Sequence, residues 1–321
     1  MDCSSLAERR VAFEVAGRRF NWCDLVAAAR AWGDWALVEQ AASSALLALE
    51  AARASGVPLA GPEFDAEAHH FRHVRHLLSA DELERWLADR GLDTEQWLDY
   101  VRGVIVSESL PPARLAQASG SAPPAAAWAQ AICSGALTRV AERLASRAAV
   151  TVAGGGSLPR GRLSAFDVRE LDRAFERFRA AQADPAAVIR ALDRHREDWT
   201  QVDLHRLLTD DRNVAREVAL CVRVDGRQLA EVSEDAGLAL ERRRTTLEQV
   251  DEPVRTSLLG ARRRELIGPY AIDGGYWLVE LLDRRAPSLD QPDVADRARR
   301  AAIERAIRRE VADRVSWHEC P

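Results

Sequence analysis

Up to about residue 200 the apolar residues of this chain recur at helical spacing, and from Val202 the run Q-V-D-L-H-R-L-L instead alternates apolar and polar side chains, the period of a half-buried strand. A chain that is helical by period first and strand-like afterwards points to an α+β, mostly α-helical fold. Its 321 residues suffice for two domains or one elaborated domain with a sizeable core.

The helical part carries its own punctuation. Trp35, Val38, Ala42, Leu46 and Leu49 share one face of a helix that stops at Gly56 and Pro58. A second helix from Pro62 to Leu77 bears Phe64, Phe71 and Val74. Ser79 and Glu82 stand at capping-box spacing, the hydroxyl accepting from a free amide and the carboxylate reaching back. They open a helix with Leu83, Trp86 and Leu87 that ends at Gly91, and the next, from Thr94, buries Trp97, Val101 and Ile105.

The proline pairs and small residues of 109–127 read as a linker, followed by a helix from Trp128 to Ala148 and a glycine-rich break, A-G-G-G-S-L-P-R-G. Residues 175–200 echo 71–98 in their aromatic helix, acidic cap and trailing tryptophan, which fits a duplication and equally fits two amphipathic hairpins of similar composition. Beyond Val202 come a turn at T-D-D-R-N, two helical stretches, a polar stretch ending at Leu247, a short helix over 251–262 and a strand over Tyr276–Leu282. A long helix then presents Val294, Ala298, Ala301, Ile303, Ile307, Val311 and Val315 to a core. The expected organisation is an N-terminal helical module (1–110), a linker (111–127), a second helical segment (128–200), a β-α-β domain (201–285) and a C-terminal helix (286–321).

Charge excludes one class of partner. All 45 basic residues are arginine, intermixed with acids to a net charge of -5, so no basic stripe is offered to a nucleic-acid backbone. The N-terminal stretch lacks a basic region followed by an apolar run, and no window has the length and apolarity of a membrane span; a cytoplasmic protein is expected, with no membrane partner. Cys3, Cys23, Cys133, Cys221 and Cys320 are scattered and odd in number, as reduced thiols are.

Among chemistry-bearing groups, His69, His73 and His76 are spaced i, i+4 and i+7. Two imidazoles at i and i+4 suit a divalent metal, but a third lies about 10 Å along the axis from the first, so one straight helix does not complete a tetrahedral set. These three are the metal candidates; neither a metal site nor a cofactor is expected. The glycine-rich run lacks the lysine and hydroxyl residue of a phosphate loop, and there is neither a G-x-S-x-G elbow nor an H-E-x-x-H helix.

The stretch 250–279, with Glu265, Gly268, Pro269, Gly275 and Tyr276, resembles the second half of a parvulin-type prolyl isomerase domain, whose short helix leads through G-E-x-x-G-P-V into a strand G-[YI]-H-I-I. The helical segments around it resemble the chaperone part of SurA-type foldases, in which an N-terminal helical module is completed by a returning C-terminal helix. By this resemblance the first-strand histidine is His205, the only catalytic candidate, and the pocket methionine and phenylalanine are Val250 and Val254. The last-strand histidine is replaced by Trp277, and the G-[DE]-L-G motif is missing from A-L-E-R-R-R-T-T. Stabilising a twisted amide against a barrier of ~18–20 kcal/mol relies on those groups. Binding an extended peptide does not, and an indole offers a broad apolar surface with one donor. Val250, Val254, Leu258, Tyr276 and Trp277 are therefore the peptide-binding candidates, with a core role for Trp277 and a structural role for His205 standing beside these readings.

What the resemblance implies is a parvulin- and SurA-like peptide-binding accessory protein, non-catalytic or weakly catalytic. Its client would be an unfolded protein or a precursor peptide, including one in the maturation of ribosomally made natural products, with maturation enzymes as further partners. The competing expectations are an active prolyl cis-trans isomerase and a homodimeric scaffold.

Overall fold

In the computed structural model the described residues are 7–56, 60–109, 122–182, 184–272 and 274–318. The fold is α+β and mostly helical, with two small antiparallel sheets. The chain forms two compact units, one of residues 1–181 with 306–321 and one of residues 182–305.

The first unit opens on a hairpin that the helical reading of 1–110 misses. Strands β1 (Val11–Val15) and β2 (Arg18–Asn21) are joined at Ala16 and Gly17, both at positive φ, as a two-residue hairpin turn requires. V-A-F-E-V places Phe13 and Val15 inward, and Phe13 stacks on Phe20 with ring centroids 4.6 Å apart. The third strand of this sheet, β7 (Val315–Trp317), comes from the far end of the chain and pairs with β1, so the expected C-terminal helix ends at Arg314.

Helix α1 (Trp22–Trp32) starts from a capping box in which Asn21 and Asp24 exchange backbone-to-side-chain bonds. The Asp24 carboxylate is buried but satisfied, accepting also from the Leu163 amide at 2.9 Å and the Arg18 guanidinium at 2.9 Å. Arg18 further donates to the carbonyls of Pro159 and Gly161, so the glycine-rich break is tied to the hairpin. Helices α2 (Asp34–Ala54), α3 (Pro62–Val74), α4 (Ala80–Asp89) and α5 (Thr94–Ser109) follow, and the Ser79–Glu82 box forms at the start of α4.

The helix expected from Trp128 is two helices, α6 (Pro124–Cys133) and α7 (Ala136–Ala153), broken at Gly135, whose φ is 69°. Proline in the first turn lets α6 begin inside the span read as linker; residues 110–121 of that linker lie outside the described residues. Helix α8 (Ala165–Ala181) closes the unit, and α2 packs along α5 and α6 while α7 packs on α1 and α8.

The second unit begins with α9 (Pro185–Arg194). Residues 128–200 are thus not one segment: α8 and α9 belong to different units, whereas α3, α4 and α5 share one, and no helix follows Trp199 as α5 carries Trp97. Strand β3 (Gln201–Thr209) leads to α10 (Arg212–Arg223), α11 (Leu229–Asp235), β4 (Leu240–Thr246), α12 (Glu252–Gly260), β5 (Leu266–Ile272) and β6 (Gly275–Arg285). The sheet is antiparallel in the order β4-β3-β6-β5. The polar stretch before Leu247 is thus an edge strand, whose consecutive arginines hide its period and also guard it against pairing with another chain.

Two small cores flank this sheet. Val202, Leu204, Val279, Leu281 and Ile267 meet Val254 and Leu258 of α12 on one face, while Leu207, Leu266 and Leu278 meet α10 and α11 on the other. Helix α13 (Pro292–Arg314) starts in this unit, where Ala298 packs with Val188 and Trp199, and its last turns belong to the first unit.

Candidate functional site

Side chains of a strand alternate between faces, so the position of each candidate follows from its parity. On β3, Val202 and Leu204 face α12, and Arg206 and Leu208 continue that face beyond the helix; Asp203, His205 and Leu207 face the other way. On β6, Gly275, Trp277, Val279 and Leu281 are on the α12 face, and Tyr276, Leu278 and Glu280 are opposite.

His205 and Trp277 therefore lie on opposite faces of the sheet. The resemblance requires its two strand positions to converge on one pocket, and the residue that meets Trp277 is Arg206, one position along, with its guanidinium carbon 4.3 Å from the indole centroid. Shifting by one residue moves a side chain to the other face, so the strand register sets His205 on the face away from Trp277.

The α12 face carries a row across three strands. Leu208 of β3, Trp277 of β6 and Tyr270 of β5 are register partners. Leu208 is 55% exposed, while Trp277 and Tyr270 are half-buried. The Tyr270 hydroxyl is hydrogen-bonded to Ser257 of α12, and Nε of Arg206 donates to Glu241 at 3.0 Å, so the tyrosine end of the row and the cation beside the indole are both held. An apolar row with one aromatic N–H, one phenol and one cation at its side suits the apolar and carbonyl groups of an extended chain.

Two glycines shape this row. Gly268 sits in β5 at φ 95°, where a Cβ would lie 2.5 Å from the Trp277 carbonyl oxygen. A register shift between Ile267 and Tyr270, across the cis Gly268–Pro269 bond, turns Tyr270 opposite Trp277. These residues thus form a bulge within the strand. At Gly275 a Cβ would lie 2.7 Å from Cδ1 of Leu208, so that side chain rests over the glycine.

The other peptide-binding candidates divide. Val254 and Leu258 are 1% and 0% exposed and belong to the core beneath the row, so they support it without reaching a ligand. Val250 is half-buried against the same core, and Tyr276 is half-buried on the opposite face with α10 and α11. Arg206, Leu208 and Tyr270 were not among the candidates. Counting by twos from Val202 identifies the first two, whereas the bulge hides Tyr270.

The face opposite the row is ionic where the helices do not cover it. Nδ1 of His205 lies 2.9 Å from the carboxylate of Glu280, itself 2% exposed and reached at 3.3 Å by Arg264. The ring nitrogen of His205 is thus bound to a buried carboxylate, which satisfies both groups. Asp203 accepts from Arg242 at 2.7 and 3.1 Å and lies 3.5 Å from Arg244. Its bonds to Arg242 hold the Asp203 carboxyl below its usual range.

The three histidines do not share one continuous helix. The rings of His69 and His73 stack at 6.1 Å, but α3 ends at Val74 and His76 lies in the following turn at φ 56°. Among the described residues no group of three or more His, Cys, Asp or Glu side chains is arranged to hold a metal ion. Among these residues, too, no helix is long and apolar enough to cross a membrane.

No protein-family model and no curated protein sequence matches the chain. Solved structures match it over most of its length at low identity. The foldase protein PrsA from Lactococcus lactis is 9% identical, covering 97% of this chain and 95% of that one, with a TM-score of 0.28. PrsA from Streptococcus pneumoniae is 10% identical, with coverages of 94% and 88% and a TM-score of 0.27. A structure from the pair PEB4 and the periplasmic Cj1289, SurA-like chaperones of Campylobacter jejuni, is 9% identical, with coverages of 97% and 100% and a TM-score of 0.20. Likeness at this level speaks for neither a shared activity nor a shared client.

Proposed function

We propose that this chain is a peptide-binding accessory protein of chaperone type, whose parvulin-like sheet holds an extended client segment with little or no isomerase turnover. The observation that carries this reading is the row Leu208–Trp277–Tyr270 with Arg206 stacked beside it. It offers apolar surface, an N–H donor and a cation where catalysis of amide rotation would want paired imidazoles. The client is an unfolded protein segment or a biosynthetic precursor peptide awaiting maturation enzymes, and a ribosomally made natural product is one outcome of such a pathway. The proposed compartment is the cytoplasm, in keeping with the reduced thiols of Cys133 and Cys221.

The test joins binding to turnover. Titration calorimetry with a proline-containing unfolded peptide should show saturable binding that Trp277→Ala weakens by about 2 kcal/mol, as removal of a central aromatic anchor does. His205→Ala should leave that affinity unchanged. A protease-coupled isomerisation assay should show no acceleration over buffer; turnover that His205→Ala abolishes would overturn the reading in favour of an isomerase.

A further inference from the structure

Helix α2 borders two cavities in succession. Near its start Asp34, Leu37 and Ala41 line one of about 440 Å³ with the junction of α6 and α7. Further along, Ala42, Ala45, Leu46 and Leu49 line one of about 230 Å³ with α5 and α6. Gln130 borders both, so the two lie end to end along one face of α2. From Asp34 to Leu49 the helix rises ~22 Å, the span of about seven residues in extended conformation.

The two ends of this groove differ in chemistry. The end at Leu49 is walled by methyl and methylene groups, including Ala125 and Ala126 of α6, and its one acid, Asp99, is engaged by Arg53 and Arg102. At the other end Arg143 is committed to Asp34 at 3.2 Å and to the face of Trp32. Arg139 is different: it is exposed, it donates to the Ser134 carbonyl at 3.0 Å, and it has no carboxylate partner among the described residues. Beside it begins the 18-residue helix α7, with no side-chain cap and no acid in its first turn, so the positive end of its dipole adds to the charge of Arg139.

We propose that this groove takes an extended peptide segment whose apolar side chains lie among the alanines of α2 and α6 and whose terminal acidic side chains meet Arg139 and the start of α7. Length selects a peptide over a compact ligand. The unmatched positive charge at one end selects carboxylates over amides or amines. The inference goes beyond the Trp277 surface to a second site in the other unit, and each stands or falls separately.

Fluorescent heptapeptides, acetylated and amidated so that only side chains carry charge, provide the probe. Each has five leucine or alanine residues and two aspartates at one end, placed at either terminus, with asparagine counterparts. Fluorescence anisotropy with the full chain should show an aspartate peptide binding about fivefold more tightly than its asparagine counterpart, the size of one exposed charge pair. Arg139→Glu should erase that preference while retaining the asparagine peptide's affinity. Ala125→Trp, an exposed position that fills the apolar end, should weaken both peptides by about tenfold. The aspartate preference, and its loss in Arg139→Glu, should persist in the Trp277→Ala background, which separates failure here from failure of the sheet surface. Photo-crosslinks from a benzophenone in the apolar part should fall on α2, α5 or α6, a readout on the parent protein that does not depend on any variant folding. Equal affinity for aspartate and asparagine peptides, an aspartate preference lost with Trp277→Ala, or crosslinks confined to other elements would overturn the proposal.

Discussion

At the residue scale, the sheet of the second unit keeps its polar and apolar chemistry apart by parity alone. Trp277 and Arg206 share a face with α12, and His205, Glu280 and Asp203 share the other, so one sheet presents a stacking surface and an ionic one. The ionic face gives a pH-dependent prediction. The Asp203 carboxyl is held below its usual range by Arg242, so the folded state is stabilised above the unfolded value near pH 4, and that contribution is lost as pH falls through the lower folded value. Urea unfolding should therefore find Asp203→Asn less stable than the parent at pH 7, with the gap closing in acid. Trp277 and Gly275 were identifiable as sequence positions; which histidine or arginine shares a pocket with the indole was not, because that depends on a register counted across strands.

Elements show the same division between local and distant causes. The start of α4 was legible because its cap is settled within one turn: the Ser79–Glu82 box is a side chain and an amide three residues apart. Ser79→Ala should lower stability by about 1 kcal/mol in chemical denaturation. Strands fared worse: β4 is hidden by E-R-R-R, and β5 is interrupted by a bulge that no local pattern announces. The bulge predicts a contrast between two glycines. Gly268→Ala combines positive φ with a clash against backbone, the Trp277 carbonyl, and should cost about 2 kcal/mol or more in unfolding free energy. Gly275→Ala meets mainly the end of the exposed Leu208 side chain and should cost visibly less in the same measurement, while displacing Leu208 and weakening peptide binding.

For the whole molecule, the joining of the two chain ends in one sheet has a direct consequence. β1 lies between β2 and β7, so residues from the extremes of the chain complete each other's hydrogen bonds. Deleting residues 315–321 should reduce amide-exchange protection in β1 by about tenfold, with β3 and β6 unchanged, as measured by hydrogen exchange. What the sequence by itself determined was the α+β class, the helical period, the caps and breaks, and the start of β3, since these rest on side chains within a turn or two of the backbone groups they govern. Only the tertiary structure decided that Val11–Asn21 is a hairpin closed by Val315–Trp317, that Val254 and Leu258 are core, and that Arg206 rather than His205 stands over Trp277. Each of those outcomes depends on partners remote in the chain, and burial and strand register are properties of a pair of segments that neither segment carries alone.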